Sequence, residues 1–309
     1  MIDQRKSVIV TGAAGFIGSH AARHFRDQGW SVIGIDSVAH ENAPLENMAT
    51  YHCLQLPDKA LNSILIEHSP EAFIHCAGTS SVERSISDPA ADFHNNTVLT
   101  FEVLNALRLN VPLCRFIFLS SAAVYGNPSI LPVTEETVIA PISPYGFHKW
   151  QCEQICREFH RVYGVSTAIV RIFSAYGPGL KRQVIWDICH KIDAKKDFVL
   201  QGTGRESRDF IHISDIVRAV DFVASLERMA ADVYNLACGR EITIGELAGM
   251  ILRAFGSDQE IRFDNISSPG MPVNWRADIT KLRNLGFNPN VGLEDGIAKY
   301  VKWFQENKG

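Results

Sequence analysis

The chain of 309 residues lacks several things, and each lack narrows what it can be. No apolar run approaches the ~20 residues that a membrane-spanning helix needs, although 46% of the residues are hydrophobic. There is no excess of positive charge: 30 Lys and Arg stand against 34 Asp and Glu, for a net charge of -4. A basic face for nucleic acid or an anionic membrane surface is therefore not expected. Cysteine is sparse and scattered, at Cys53, Cys76, Cys114, Cys152, Cys156, Cys189 and Cys238, with no Cys-x-x-Cys spacing. An odd, dispersed set of this kind predicts reduced thiols and a cytoplasmic protein. Cys152 and Cys156 share a helix face, but no His or carboxylate set surrounds them, and no metal site is expected. Residues 1–7 are polar and charged and run directly into a strand, so no signal peptide is expected. Internal repeats and low-complexity tracts are absent.

What is present is an alternation of short apolar strands with helical patterns. Residues 7–10 form a β-branched run that reads as a buried parallel strand. Next comes Thr11-Gly12-Ala13-Ala14-Gly15-Phe16-Ile17-Gly18, then a helical pattern over 19–28. Gly12, Gly15 and Gly18 permit a tight turn, backbone approach to a pyrophosphate and close helix–strand packing, and the helix N-terminus offers free N–H groups to phosphate. The setting between strand and helix is what gives this loose glycine pattern its meaning. A second strand over 31–35 ends at Asp36, whose carboxylate can accept both adenosine ribose hydroxyls and would repel a 2′-phosphate. No arginine follows it, which favours NAD over NADP. Strands over 72–76, 116–120 and 165–173 and helices over 95–109 and 145–163 extend the alternation and predict an α/β fold built on a doubly wound parallel sheet. Ligands bind such sheets outside the carboxyl ends of the strands, and Ser121 falls at one of these ends.

Tyr145 and Lys149 stand at i and i+4 in Pro144-Tyr145-Gly146-Phe147-His148-Lys149, on one face of a helix. An ammonium near a phenol stabilises the phenolate, which can act as a general base towards an alcohol. The pair alone means little, because such pairs recur on ordinary amphipathic helices as packing plus a solvated charge; its company gives it weight.

Taken together, TGAAGFIG (11–18), IHCAG (74–78), SSAAVYG (120–126), SPYGFHK (143–149), RIFSAYGPG (171–179) and RDFIHISDIVRA (208–219) resemble the extended short-chain dehydrogenase/reductases, in particular the NAD-dependent nucleotide-sugar epimerase/dehydratase group. They occur in the family's order along nearly the whole chain. The resemblance implies a Rossmann-type NAD-binding domain over 1–173 plus about 214–238. A smaller, interleaved substrate domain would comprise 174–213 and 239–309. It implies Ser121, Tyr145 and Lys149 as the catalytic set, and Gly12, Gly15, Phe16, Ile17, Gly18, Asp36, Ala77, Gly78, Asn96, Tyr145 and Lys149 around the cofactor. Ser121, Ser174 and Arg208 would meet a nucleotide-sugar substrate. Asn96 either supports the active site or satisfies helix backbone, and Arg208 either grips phosphate or pairs with Asp209 or Glu206. A homodimer is also implied.

Four departures bear on the reaction and substrate. Ala122 and Ala123 stand where 4,6-dehydratases of the family carry an acidic pair, which points away from elimination and towards a 4-epimerase; the resemblance alone implies polysaccharide or other surface-glycan precursor synthesis. Ser174 replaces an asparagine that touches substrate in relatives, and Ser268 replaces a phosphate-binding arginine. Leu54 replaces an aspartate at the adenine, leaving Gln55 or backbone to serve. The competing expectations are a 4-ketosugar reductase, which would consume reduced nicotinamide, and a non-catalytic NAD-binding protein.

Elsewhere, helices are expected over 181–194, 243–255 and 293–306, the second opened by a capping box between Thr243 and Glu246, and a strand over 198–200; the resemblance implies a further helix over 214–226 and a strand over 233–236. His75, His148 and His212 lie in or beside motifs without forming a ligand set.

Overall fold

The computed structural model describes residues 6–194, 198–266 and 272–307. Ser268 lies outside the described residues. The chain divides into two compact units, Met1–Gly126, Ile139–Ile172 and Val217–Tyr234 in the first, and Asn127–Val138, Phe173–Ile216 and Asn235–Gly309 in the second.

The first unit is organised by a seven-stranded sheet. Its strands are β1 (Ser7–Thr11), β2 (Ser31–Asp36), β3 (Thr50–Cys53), β4 (Ala72–His75), β5 (Arg115–Ser121), β6 (Thr167–Ile172) and β11 (Ala230–Leu236). The order is β11-β6-β5-β4-β1-β2-β3, and every neighbouring pair from β6 to β3 runs parallel. The inner strands β1, β2, β4, β5 and β6 are largely apolar on both faces because helices cover both. On one face α2 (Ala60–His68), α5 (Leu99–Asn110) and α6 (Pro144–Tyr163) bury Leu61, Leu65, Val103, Leu107, Cys152 and Phe159 against Ile9, Ile33, Phe73 and Phe116. α1 (Phe16–Asp27) and α8 (Ile213–Ala224) are tied to each other by His24 and Asp221, 2.9 Å apart. The strands end at Thr11, Asp36, His75 and Ser121, which gathers the sequence-predicted residues of this unit along one edge of the sheet.

Two features depart from the sequence expectation. β3 and α2 have no counterpart in it. The expected helix over 95–109 is in fact α4 (Pro89–Phe93), a turn of π-helix (His94–Val98) and then α5, with the short α3 (Val82–Ser87) before them.

In the second unit β7 (Ser174–Tyr176) pairs parallel with β10 (Phe210–His212), β8 (Phe198–Leu200) parallel with β13 (Ile261–Phe263), and β9 (Ser207–Arg208) antiparallel with β12 (Ile242–Thr243). Around them lie α7 (Gln183–Asp193), α9 (Ile244–Phe255), α10 (Thr280–Asn284) and α11 (Leu293–Glu306). The Thr243–Glu246 capping box is formed at the start of α9, as the sequence predicts. On α11, Gly296 admits Tyr176, since a Cβ there would lie 2.0 Å from the Tyr176 hydroxyl. Among the described residues no helix is long and apolar enough to cross a membrane.

Candidate active site

The loop between β1 and α1 makes the close approaches that its glycines allow. Gly12 has φ +66°, and a Cβ there would sit 2.8 Å from the backbone of Cys76 and Ala77 at the exit of β4. At Gly18 a Cβ would lie 2.0 Å from the Gly12 carbonyl, so α1 packs directly on the turn. Gly15 is the N-cap of α1, no side chain caps that end, and no acidic residue occupies its first turn. The N–H groups of Phe16, Ile17 and Gly18 therefore face an end with positive dipole character and no competing carboxylate. Asp36 is fixed beside it: one carboxylate oxygen accepts from the Ala14 N–H at 2.9 Å and the other from the Val38 N–H at 3.1 Å. Each oxygen keeps a second lone pair for a further donor. Cradle, dipole and carboxylate fit the pyrophosphate and adenosine ribose of a dinucleotide.

Ser121 closes β5 and caps the 3-10 turn Ala122–Tyr125, its Oγ accepting from the Ala123 N–H at 3.1 Å. That leaves the Ser121 hydroxyl proton to donate outward. α6 begins on this turn. Pro144 occupies the first helical position, where its missing N–H costs nothing, and the Ser143 hydroxyl accepts from Gly146 N–H at 3.2 Å. Gly146 lies so close that a Cβ would stand 2.6 Å from the Ala123 carbonyl. Tyr145, in the first turn of α6, is 8% exposed, and Lys149, one turn on, is 7% exposed. The Lys149 ammonium donates to the Leu119 carbonyl at 3.0 Å and lies 5.9 Å from the centroid of the Tyr145 ring. Ser121, Tyr145 and Lys149 thus converge on the end of β5.

Asn96 sits in the π-helical turn, a distortion that recurs at functional sites. Its amide nitrogen donates to Thr79 Oγ1 at 2.8 Å and to the Asp92 carbonyl at 3.1 Å, while its buried Oδ1 has no hydrogen-bond partner. That oxygen faces Gly78, where φ is +131° and a Cβ would come within 2.7 Å of it. The nitrogen thus satisfies helix backbone, one of the two sequence alternatives for Asn96, while the oxygen faces the Ala77–Gly78 loop. Asp92 also accepts from Thr79 Oγ1 and pairs at 2.6 Å with His148 Nδ1. His75 is a core residue bonded to Thr11 Oγ1 at 2.9 Å, and burial, with the nearby Lys149 charge, holds its pKa down to about 3.

The sequence reading missed a buried network behind this edge. Arg171 on β6 donates to Glu153 of α6 through Nε at 2.9 Å and Nη2 at 2.6 Å, and through Nη1 to the Tyr125 hydroxyl at 2.7 Å. Ser120 Oγ donates to the same carboxylate at 2.7 Å. The signal was available as a lone arginine inside the apolar run Ala168-Ile169-Val170-Arg171-Ile172-Phe173.

In the second unit Ser174 opens β7, its N–H donating to the Asp209 carbonyl at 2.9 Å. Arg208 donates to the carbonyls of Ser207 at 2.8 Å and Val273 at 3.1 Å, with its guanidinium 5.6 Å over the Trp275 ring. Burial pulls its pKa down to about 10, against the Glu206 charge. The two carboxylates weighed as its ion-pair partners are otherwise engaged, Asp209 with the backbone N–H groups of Cys238, Gly239 and Ala277, and Glu206 with Thr203. Leu54 donates its N–H to the Asp36 carbonyl at 2.7 Å, and Gln55 turns to the Leu56 carbonyl at 3.0 Å. Among the described residues no group of three or more His, Cys, Asp or Glu side chains is assembled to hold a metal ion.

Comparison with known proteins agrees with this geometry. The UDP-glucose 4-epimerase of Bacillus subtilis is 29% identical, with 97% of this chain and 97% of the relative aligned. Among solved structures, the UDP-N-acetylglucosamine 4-epimerase of Methanobrevibacter ruminantium, in complex with UDP-N-acetylmuramic acid, superposes with a TM-score of 0.88 at 30% identity, covering 98% of this chain and 99% of that one. A dTDP-glucose 4,6-dehydratase of Streptomyces venezuelae, with NAD bound, gives 0.87 at 28% identity over 98% of each chain. Residues 8–237 match the family described as the NAD dependent epimerase/dehydratase family. With that match spanning most of the chain, and the glycine loop, Asp36 and the Tyr145–Lys149 helix falling inside it, the protein belongs to the NAD-dependent epimerase/dehydratase family of extended short-chain dehydrogenase/reductases.

Proposed function

We propose that the chain is an NAD-dependent nucleotide-sugar 4-epimerase. The observation that carries the reading is the turn after Ser121. It holds the serine against the start of the Tyr145 helix, yet at Ala122 and Ala123 presents only methyl groups, both buried. A 4,6-elimination needs an acid and a base at the sugar's C5–C6 side, and these alanines supply neither.

The glycine loop and the first N–H groups of α1 would hold the cofactor pyrophosphate, and Asp36 the adenosine ribose. Ala77, Gly78 and Asn96 would line the nicotinamide side, with the unpartnered Asn96 oxygen as an acceptor. Bound NAD supplies a hydride acceptor at sugar C4 that can return the hydride to the opposite face. The chain's part is to move a proton and hold the sugar. Tyr145 Oη takes the C4 hydroxyl proton and gives it back after the sugar has turned. Ser121, with its oxygen already engaged by Ala123, donates its proton to the reacting oxygen and fixes it. Lys149 keeps a positive charge near the phenol, anchored by the Leu119 carbonyl. Arg208 and Ser174 would bind the substrate, the arginine through its phosphates.

The reading includes a homodimer. Phe101 and Leu109 of α5 and Phe147, Val162 and Tyr163 of α6 are apolar side chains at the surface of the first unit. A second copy covering these helices would bury them.

The experiment is incubation of the protein, without added cofactor, with UDP-, dTDP-, GDP- and CDP-sugars, with NMR of the products. A C4 epimer formed with no net change in reduced nicotinamide supports the reading. Turnover only with stoichiometric consumption of NADH or NADPH makes the protein a 4-ketosugar reductase, and a 4-keto-6-deoxy product makes it a dehydratase.

A further inference from the structure

We propose that Asp92, Thr79 and His148 are positioning residues that fix which way round the Asn96 side-chain amide sits, so that an acceptor and not a donor faces the Ala77–Gly78 loop. The direction of the relay follows from its chemistry. A carboxylate only accepts hydrogen bonds, and the buried Asp92 carboxylate accepts three. One oxygen accepts from His148 Nδ1 at 2.6 Å, which assigns a ring proton to that nitrogen. The other accepts from the Thr79 hydroxyl and from Asn96 Nδ2, the latter at 3.2 Å. With its proton committed to Asp92, Thr79 Oγ1 is left to accept from Asn96 Nδ2 at 2.8 Å. The Asp92 carbonyl is a third acceptor on the same side, at 3.1 Å. An amide turned the other way would set its oxygen against three acceptors and leave them short of a donor. The nitrogen is therefore held inward, and the buried Oδ1, which has no hydrogen-bond partner, is held towards Gly78.

A buried acceptor left without a donor costs free energy, and here a network of side chains maintains it. Asp92 lies in α4, one turn before Asn96, whereas His148 belongs to α6 and stands between Tyr145 and Lys149 in the chain. Their contact ties the π-helical turn to the helix that carries the proposed base. Phe93 braces it, its ring edge-on to the His148 imidazole at 5.4 Å. Glycine at position 78 leaves the oxygen uncovered, since a Cβ there would stand 2.7 Å from it. What suits that opening is a hydrogen-bond donor on the nicotinamide side of the dinucleotide. The inference rests on the proposed place of Asn96 beside the cofactor. Asp92, Thr79 and His148 need not touch the cofactor themselves; their effect runs through the Asn96 amide.

The test is NAD affinity, measured by calorimetry on the full chain freed of nucleotide, with the Tm of every variant recorded. Asn96→Ala should weaken binding by roughly 10-fold. Asp92→Ala should weaken it to a similar extent, because Thr79 can then donate to a turned amide. Since Asp92 acts through Asn96, the double variant should bind no more weakly than Asn96→Ala alone, although its Tm falls further. A merely structural role for Asp92 would make the two losses of affinity add. Thr79→Val removes one hydroxyl at nearly constant shape and should reproduce the loss; it carries the same cycle should Asp92→Ala fail to fold. His148→Asn keeps a side-chain N–H near the position of Nδ1 and should retain most of the affinity that His148→Leu loses. If Asn96→Ala binds NAD like the wild type, its place at the cofactor is wrong and the relay falls with it. If Asn96→Ala weakens binding but the second loss adds to it, or Thr79→Val binds normally, Asn96 keeps its place and the relay alone is overturned.

Discussion

The buried pair Glu153–Arg171 offers the sharpest test of how the site edge is held. Both side chains are essentially inaccessible, at 0% and 1%. Burial alone would lower the arginine's pKa, but the hydrogen bonds and charge of Glu153 outweigh it and leave it raised. Replacing Glu153 by Leu takes the carboxylate away from a buried guanidinium and the acceptor from Ser120. Breaking a buried pair from one side costs ~3–5 kcal/mol, and a stranded hydroxyl adds ~1 kcal/mol. At ~2–4 °C per kcal/mol for domains of a similar order of size, Tm should fall by roughly 10 °C. Arg171→Met should cost a comparable amount. The double variant buries no charge, leaves Ser120 and Tyr125 without these partners, and should be destabilised by ~1–2 kcal/mol, less than either single change. Urea unfolding of the four proteins gives the coupling energy directly, expected at ~3 kcal/mol or more. If the two single losses simply add, the charges do not depend on each other and the account of the network is wrong.

Other consequences follow from single contacts. Gly18→Ala places a methyl group 2.0 Å from the Gly12 carbonyl and should abolish NAD retention, read as loss of nucleotide released on denaturation. Asp36→Ala removes the acceptor for the ribose; NAD affinity should drop about 10-fold or more, for loss of charge-assisted hydrogen bonds worth ~1.5–3 kcal/mol, and discrimination against NADP should narrow. Tyr145→Phe should lower epimerase turnover by ~10²–10⁴-fold with the Tm nearly unchanged; wild-type turnover would falsify its role as base. The pKa of His75 in the folded state, about 3, lies below its unfolded value of 6.5, so its contribution to stability is complete above pH 6.5 and is lost as pH falls towards 3. Urea midpoints across that range should therefore fall less steeply in His75→Asn than in the wild type.

Much of the first unit was legible because parallel strands covered on both faces must be apolar throughout. The strands ending at Thr11, Asp36, His75 and Ser121 stand out for that reason, and Tyr145, Lys149 and the glycine loop are legible because their spacing is local. β3 escaped because it is a half-exposed edge strand, whose Thr50-Tyr51-His52-Cys53 carries no apolar run. The π turn escaped because apolar periodicity across 95–109 does not register one extra residue per turn, and Asn96, which faces Gly78, lies in that turn. Arg171 was visible as a charge in an apolar run, whereas its partner was not, because Glu153 reads as an ordinary surface residue of an amphipathic helix until α6 is packed on β5 and β6.

The turn that follows Ser121 links position to reaction type. Its backbone does two jobs: the Ala123 N–H orients the serine hydroxyl, and the Ala123 carbonyl receives the start of α6 at a distance that only glycine at position 146 allows. Ser121 and Tyr145 are thus set from the same residue. The side chains at 122 and 123, by contrast, make no hydrogen bond that the fold needs, being alanines buried at 0% and 8%. On the proposed reading, proton transfer at C4 would depend on the backbone of the turn, and any additional acid–base chemistry on what its side chains carry. A family containing both 4-epimerases and 4,6-dehydratases can therefore keep one arrangement of serine, tyrosine and lysine and differ at the two positions in between. On the proposed reading, this chain has the shared arrangement and lacks the addition.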